Sequence, residues 1–457
     1  MSGLERVYDA APVAVQNLMT SVKGWQIAWQ RYGEVYREHR RWLTEFDKLS
    51  YEQKREHQDL ALARFVSHAY ARSRYYRRIY DEAGVDVADV RSVTDLPRLP
   101  TVDKEDIRAH ADEVQVGEGV GRTVIVHTGG TTGKSLEVTQ SETDIQRRMA
   151  ILDHFKHRVG FEHRRMRRAS FGGRHIIPPS QRGGPYTRYN HACRQLLLSP
   201  FHVSDRTGDS YLDDLNRFRP DSLDGFPSSM LGLARHMLAN DIRLAHPMTG
   251  IFPTAETLTD PDRELLTEAF GAKVFNQYAS SEGAPFITEC RAGRLHVEMS
   301  TGVFEFTDDE IFVTSFTTHA TPLIRYRIGD RATLSSDRTC ECGNESEMVD
   351  EISGRGSQFL YRTDGSKVYS PNLANLLKNV PNAIVEAQLQ QHRVGQVDLY
   401  VVVDQTFKDS DDDILRDEFA HKFDTASTVT IHHVDTIPSE TSGKRLFVKN
   451  LVDREQG

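Results

Sequence analysis

Val124-Ile125-Val126-His127-Thr128-Gly129-Gly130-Thr131-Thr132-Gly133-Lys134-Ser135-Leu136-Glu137-Val138-Thr139 is the stretch on which the reading of this 457-residue chain turns. β-Branched runs, Val124 to Val126 and Leu136 to Thr139, read as extended segments on either side of a loop of glycines and hydroxyls. Glycine lets backbone approach a ligand closely, and clustered N–H groups with Thr and Ser oxygens can surround a phosphate. The tail Gly133-Lys134-Ser135 imitates a P-loop, but that motif needs glycine five residues before Gly133, where Thr128 stands. A P-loop also runs from strand into helix, and this loop runs from strand to strand. Two readings follow: a nucleotide-phosphate site, or a glycine-rich hairpin without a ligand.

Working outward, a helical pattern over Glu142 to Val159 and further short β-branched runs past Val274 and Phe275 give the alternation of an α/β sheet protein. Upstream, residues 1–120 form a helical opening section, with Leu60, Leu62, Phe65, Val66, Ala69 and Tyr70 at helical spacing between Tyr51 and Tyr80. Leu96 to Val102 carries two prolines and reads as a loop, followed by a helix with an acidic first turn that runs to about Ala109. At Ile352 to Ser357 a glycine-rich polar stretch precedes a section of alternating strands and helices. Two domains are therefore expected, residues 1–352 (helical section 1–120, α/β body 121–352) and a small α+β domain over 353–457. The acidic run Asp409 to Asp413 is expected to be a solvated turn.

Lys and Arg number 57 against 66 Asp and Glu, a net charge of −9, so neither nucleic acid nor an anionic membrane is attracted in general and any phosphate site must be local. The N-terminus lacks a secretory pattern and no run approaches the ~18 apolar residues of a membrane span, which suggests a soluble cytoplasmic protein. Four cysteines are too few for a disulfide framework. Cys340-Glu341-Cys342-Gly343 sets two thiols on one turn, and with Cys290 and His296 they make a candidate closed Cys₃His zinc site of structural type. The competing reading is four unconnected residues; Cys193 is expected in the core.

Four later stretches join the glycine-rich loop in an order that resembles the adenylate-forming superfamily of acyl-CoA synthetases, peptide-synthetase adenylation domains and luciferases. Tyr278-Ala279-Ser280-Ser281-Glu282-Gly283 looks like the motif whose aromatic ring lies on adenine and whose glutamate holds magnesium, with Ala279 replacing the usual glycine. Tyr326-Arg327-Ile328-Gly329-Asp330 is similar to the segment whose aspartate accepts hydrogen bonds from the ribose hydroxyls. Ser353-Gly354-Arg355 resembles the opening of the superfamily's mobile C-terminal domain, and Ser439-Glu440-Thr441-Ser442-Gly443-Lys444-Arg445 its closing segment, which makes Lys444 the candidate catalytic lysine. Thr254-Ala255-Glu256 looks like the stretch lining adenine, or alternatively a helix cap at Thr254 or Thr257. Within the superfamily the chain looks closest to phenylacetate–CoA ligases and, more narrowly, to CapK-type proteins associated with capsular polysaccharide biosynthesis. The short N-terminal section, Gly225-Phe226-Pro227-Ser228-Ser229 and the Arg188 to Ser204 region carry that narrower match. Where the family often has hinge aspartates after Gly-Arg, this chain has Gly356-Ser357-Gln358.

The resemblance implies ATP- and magnesium-dependent formation of an acyl-adenylate, with Thr128, Gly129, Gly130, Thr131, Thr132, Gly133 and Lys134 at the phosphates. Ala255, Glu256, Gln277, Tyr278, Ala279, Ser280, Ser281, Asp330 and Arg355 would hold the rest of the nucleotide, and Glu282 the metal. The acyl group would then pass to coenzyme A along a face near Gly365-Ser366-Lys367-Val368-Tyr369. Phe171-Gly172-Gly173-Arg174, Phe226-Pro227-Ser228 and Phe275-Asn276-Gln277 are candidates for a pocket taking an aromatic or compact acid. The rival readings are transfer to an amine or hydroxyl, an inactive nucleotide-binding scaffold, and a P-loop NTPase. A small carboxylic acid and a nucleophile are thus the expected partners; a homodimer is left open.

Overall fold

The computed structural model describes residues 3–127, 136–172, 176–177, 181, 183–256, 258–307, 310–353, 359–363, 367–369, 373, 383–423, 426–439 and 446–452. The chain divides into two compact units, Met1–Ala255 with Leu265–Ile328 and Ala332–Ile352, and Ser353–Gly457 with Glu256–Glu264 and Gly329–Arg331. It is a mixed α/β fold.

In the first unit the helix Tyr51–Arg72 starts at a capping box, where Ser50 Oγ accepts from the Gln53 amide at 3.3 Å and Gln53 Oε1 accepts from the Ser50 amide at 3.0 Å. Its Leu62, Phe65, Val66 and Ala69 are buried in the core, each large side chain contributing about 1.5–3 kcal/mol. The helix ends at Ser73, whose hydroxyl caps the next helix, Arg74–Glu82. The helix expected after the proline loop spans Lys104–Ala109, capped by Asp103 Oδ1, which accepts from the amides of Glu105 (2.8 Å) and Asp106 (2.9 Å).

Strands β1 (Thr123–His127) and β2 (Glu137–Ser141) pair antiparallel, Thr123 opposite Ser141 and His127 opposite Glu137. Ser141 then caps the helix Glu142–Arg158. An extended β2 stands where a P-loop would continue as helix. Thr128 to Ser135 lie outside the described residues.

The main sheet runs β4-β5-β3-β6-β7, comprising β3 (Arg168–Phe171), β4 (Thr187–Asn190), β5 (Gln195–Leu198), β6 (Ser222–Gly225) and β7 (Gly250–Pro253). All neighbours are parallel except β4 with β5. The helices Gly208–Phe218 and Pro227–Ala239 supply the crossovers that parallel pairing requires. Gly225, at φ 127°, lies so close to β3 that a Cβ would sit 1.9 Å from the Phe171 carbonyl oxygen. Val274 bridges Ile251 in parallel, extending the edge beyond β7.

Two smaller sheets complete the unit. One has the order β14-β15-β10-β9-β8, built from β8 (Gln277–Tyr278), β9 (Ile287–Glu289), β10 (Leu295–Val297), β14 (Arg331–Leu334) and β15 (Met348–Ser353). The other is β11 (Gly302–Phe306), β12 (Ile311–Ser315) and β13 (Tyr326–Arg327), antiparallel throughout.

In the second unit β16 (Phe359–Tyr361) and β17 (Lys367–Tyr369) pair antiparallel. A four-stranded sheet has the order β20-β19-β18-β21, made of β18 (Ile384–Arg393), β19 (Gln396–Val403), β20 (Thr428–His433) and β21 (Val448–Asn450). The helix Asp409–Lys422 crosses from β19 to its parallel neighbour β20, burying Leu415 and Phe419 against Leu389, Leu399 and Val401. This corrects the expectation of a solvated turn at Asp409 to Asp413. These residues open a helix, and Asp411, only 4% exposed, accepts from the Lys408 amide at 2.9 Å, because carboxylates answer the free N–H groups and positive dipole of a helix start. No helix among the described residues is long and apolar enough to cross a membrane.

Candidate active site

Parallel pairing brings the carboxyl ends of β3, β6, β7 and the Val274 segment to one edge of the main sheet, and open α/β sheets bind ligands outside that edge. Phe171, Phe226 and Phe275 of the expected acid pocket all sit there, each buried, while Gly173 and Arg174 lie outside the described residues. Thr254-Ala255 leaves the end of β7, with the Thr254 amide donating to the Gly225 carbonyl at 2.9 Å. Ala255 has φ 69°, a left-handed conformation that costs a non-glycine residue about 1 kcal/mol or more. Gln277 Nε2 donates to the Pro253 carbonyl at 3.3 Å, tying the β8 strand to the β7 end.

The Tyr278-Ala279-Ser280-Ser281-Glu282-Gly283 segment leaves β8 at this point. Its shape is fixed by Arg148, a residue the sequence reading did not single out. Arg148 is 6% exposed on the helix Glu142–Arg158 and donates to the carbonyls of Gly283 (2.8 Å), Ala284 (2.9 Å) and Ser280 (3.4 Å) and to Thr317 Oγ1 (3.1 Å). Its guanidinium lies over the Phe286 ring, 4.3 Å from the centroid. Burial lowers its pKa to about 10, with Asp144 and Glu282 opposing that shift, so it stays charged at neutral pH. Ser315 Oγ donates to the Gly283 carbonyl at 2.7 Å, and Ser280 Oγ accepts from the amides of Gly283 (3.3 Å) and Ala284 (3.1 Å). Gly283 has φ 109°, and a Cβ there would meet Thr318 Cγ2 at 2.5 Å. Within this scaffold Glu282 is 3% exposed, Ala279 and Ser281 are exposed, and the Tyr278 ring packs edge-on to Phe304 at 6.1 Å.

One turn before Arg148, Asp144 accepts from the His319 amide and Nδ1, both at 2.8 Å, and from Ser141 Oγ at 2.8 Å. These bonds outweigh the burial that would raise its pKa and hold the carboxyl below the usual range. Only long-range pairing reveals the roles of these two residues, since Arg148 reaches Ser280, Gly283, Ala284 and Thr317 and Asp144 reaches His319, all more than a hundred positions away.

Of the remaining candidates, Glu256 is half-buried and Asp330 is 4% exposed, both in the second unit. Arg355, Ser357, Ser366 and Lys444 lie outside the described residues. Just beyond Lys444, the Leu446 carbonyl accepts from Gln388 Nε2 at 2.7 Å, where β21 joins the sheet beside β18.

The cysteine and histidine candidates come together. The donor atoms of Cys290, His296, Cys340 and Cys342 all lie within 4.8 Å of one another. Cys290 Sγ is 3.7 Å from Cys340 Sγ, and Cys342 Sγ is 3.4 Å from His296 Nε2. Three thiols and an imidazole fit a tetrahedral, thiophilic ion, whereas a disulfide would use only two of them. His296 is 1% exposed, and its burial lowers the pKa to about 4, leaving the neutral ring that a metal ligand requires. Cys193 is buried in a small cluster with Ala28 and Ala192.

Comparison with known proteins agrees with this architecture. Residues 360–451 match the family model described as the CapK C-terminal domain. Protein CapK of Staphylococcus aureus is 34% identical over 98% of this chain and 100% of its own length. A phenylacetate-coenzyme A ligase of Thermus thermophilus is 27% identical, over 82% of this chain and 87% of its own. The crystal structure of a 2-hydroxyisobutyryl-CoA ligase in the postadenylation state superposes with a TM-score of 0.71 at 16% identity, covering 90% of this chain and 91% of that one. With a full-length relative at that identity the chain belongs to the CapK family; it is a ligase related to the phenylacetate-CoA ligases and shares the fold of the acyl-adenylate-bound structure.

Proposed function

We propose that this protein activates a carboxylic acid with ATP, releasing pyrophosphate, and transfers the acyl group to the thiol of coenzyme A. The observation that carries this reading is the Tyr278 to Gly283 segment, clamped by Arg148 at the carboxyl edge of a parallel sheet and carrying the buried Glu282. The acid would lie among Phe171, Phe226 and Phe275, whose flat apolar faces favour an aromatic or compact acyl group. In the reaction the acid's carboxylate oxygen attacks the α-phosphorus, the bond to the bridging oxygen breaks, and pyrophosphate leaves. Tyr278, Ala279, Ser280, Ser281, Ala255, Glu256 and Gln277 would surround the adenosine half, Asp330 the ribose hydroxyls, and Thr128 to Lys134 with Arg355 the phosphates. Lys444 would donate to oxygens whose charge grows in the transition state. Glu282 would hold magnesium, which supplies charge neutralisation at the phosphates. The coenzyme A acceptor is favoured by the relatives named as coenzyme A ligases, and the Gly365 to Tyr369 stretch would guide its approach. The Cys290, His296, Cys340 and Cys342 cluster would hold a structural zinc ion away from this chemistry.

ATP–pyrophosphate exchange against aromatic and small aliphatic acids is the direct test, with Lys444→Ala as the control expected to lose exchange. Absence of acid-dependent exchange with every acid of the panel, together with acid-independent ATP hydrolysis, would remove the proposal. Hydroxamate trapping with and without coenzyme A, against an amine acceptor, decides the second half-reaction. Acyl transfer that proceeds equally well without coenzyme A overturns the thioester.

A further inference from the structure

The helix Val13–Arg31 is docked the wrong way round for a monomer. Its buried face is small and polar, Gln16, Ser21, Gly24 and Ala28, and that face is locked. Gln16 Oε1 accepts from Arg188 Nε at 2.6 Å, Asn17 Oδ1 from the Tyr189 amide at 2.8 Å and Ser21 Oγ from the His191 amide at 3.1 Å. Gly24 lies so close to Asn190 that a Cβ would sit 2.1 Å from its Oδ1, so the helix cannot roll. The apolar residues face outward instead: Val15 43% exposed, Leu18 63%, Val22 61%, Trp25 58% and Trp29 67%. Seven of the thirteen exposed large hydrophobics among the described residues fall between Val7 and Trp29, so this is a patch and not scatter.

The spacing along the stripe is 3, 4, 3, 4, the periodicity of a helix seam that interdigitates with another helix. From this geometry we propose that the stripe is the interface with a second copy of this chain, the two helices running antiparallel about a two-fold axis at Val22. That arrangement sets Trp29 opposite Val15 and brings Trp25 to within one residue's rise, ~1.5 Å, of Leu18 along the axis, large against small, whereas a parallel pair would set each tryptophan against its twin. The exposed apolar area of one stripe is on the order of 500 Å². Doubled by symmetry it reaches the ~1,000 Å² a specific interface needs, which a single copy against a short peptide does not. A lipid surface fits less well, because interfacial helices carry many Lys and Arg on their polar face and this helix has only Lys23 and Arg31 in a chain of net charge −9.

Sedimentation velocity of the full-length protein tests this. The wild type is expected to dimerise, and Trp25→Glu and Trp29→Glu each to raise the dissociation constant about 30-fold or more with unchanged far-UV circular dichroism. Under mild oxidation, measured against the background of the native cysteines, Val22→Cys should cross-link to itself across the axis. Val15→Cys should not, since its counterpart lies ~21 Å away. A wild type that stays monomeric at its highest soluble concentration overturns the proposal, whether or not it floats with lipid vesicles. So does a dimer unaffected by both glutamate substitutions, or a Val15→Cys variant that cross-links as readily as Val22→Cys.

Discussion

Two polar clusters flank strand β9, and they are held together by opposite means. Before the strand, protein donors hold the Tyr278 to Gly283 segment and the residue after it: Arg148 on the carbonyls of Ser280, Gly283 and Ala284, Ser315 on the Gly283 carbonyl as well, and Ser280 closing the turn. After it, Cys290 and its partners present soft donors to one another at 3.4 and 3.7 Å, spacings that offer little hydrogen-bond energy. Under the proposed function the segment is fixed by protein donors before its ligand arrives, whereas the cluster of three thiols and an imidazole would gain its energy from an ion. In the proposed function the first arrangement would preorganise chemistry; in the zinc reading the second would fasten a sheet.

The sharpest way to break this contrast is Arg148→Met, which keeps the length of the side chain and removes all four hydrogen bonds. The buried Ala284 carbonyl would then lose its Arg148 donor and the Gly283 carbonyl would keep only Ser315 Oγ, at a cost of about 3–5 kcal/mol in urea unfolding. Displacement of the segment by even ~1 Å should lower acid-dependent pyrophosphate exchange by at least about 100-fold. Arg148→Lys, with one donor head on the same charge, should recover part of the exchange, mainly in kcat. Exchange at the wild-type level in a folded Arg148→Met variant would mean that the segment shapes itself.

Next in size is the cluster. Cys342→Ser should lower bound zinc from one equivalent towards none and cost about 3 kcal/mol. That is well short of the ~10–16 kcal/mol apparent affinity of zinc fingers, because the β9–β10–β15 ladder keeps its backbone hydrogen bonds without the ion. Exchange activity should change little. Metal analysis of purified wild type that finds no zinc, with Cys342→Ser equally stable, would reduce the cluster to coincidence.

Which of these features the sequence announces follows from how local their signals are. The strands around the glycine-rich loop, the helix from Glu142 and the Lys104 helix are written in periodicity and caps within a few residues. The Cys-x-Cys turn declares itself by spacing, and its meeting with Cys290 and His296 was inferable from residue type. Arg148 was not legible, because one arginine in a helix looks like any other until residues more than 130 positions away fold against it. The Asp409 run misled for a subtler reason: a block of like charges looks solvated, yet three acids in a first turn are also what a helix start prefers. The outward stripe from Val15 to Trp29 has a helical period, but periodicity does not say which face the rest of the protein covers.

Acid separates the two clusters at a smaller cost. Thiolate and imidazole ligands compete with protons, so zinc should leave progressively as pH falls from 8 to about 5. The Arg148 guanidinium does not titrate there. Arg148 remains charged, and Asp144, whose pKa is lowered in the fold, contributes stability that is present above the ordinary carboxylate value of ~3.9 and lost only as pH falls below it. Near-UV circular dichroism with zinc content on the same samples reads both. Loss of pyrophosphate exchange on re-assay at neutral pH, in step with zinc release, would show that the clusters are coupled and not independent.

The smallest effect discriminates between two roles for Ser280, a residue the family resemblance places near the nucleotide. Its hydroxyl oxygen already accepts from two backbone amides at 3.1 and 3.3 Å, which makes it a brace of the turn and leaves it poorly placed to accept from a ligand as well. Ser280→Ala should therefore cost about 1 kcal/mol of stability and lower kcat a few-fold, with KM for ATP nearly unchanged, a weak copy of the Arg148→Met phenotype. The opposite pattern, unchanged stability with KM for ATP raised about tenfold, would put the Ser280 hydroxyl on the nucleotide. The rigidity of the segment would then rest on Arg148 and Ser315 without it.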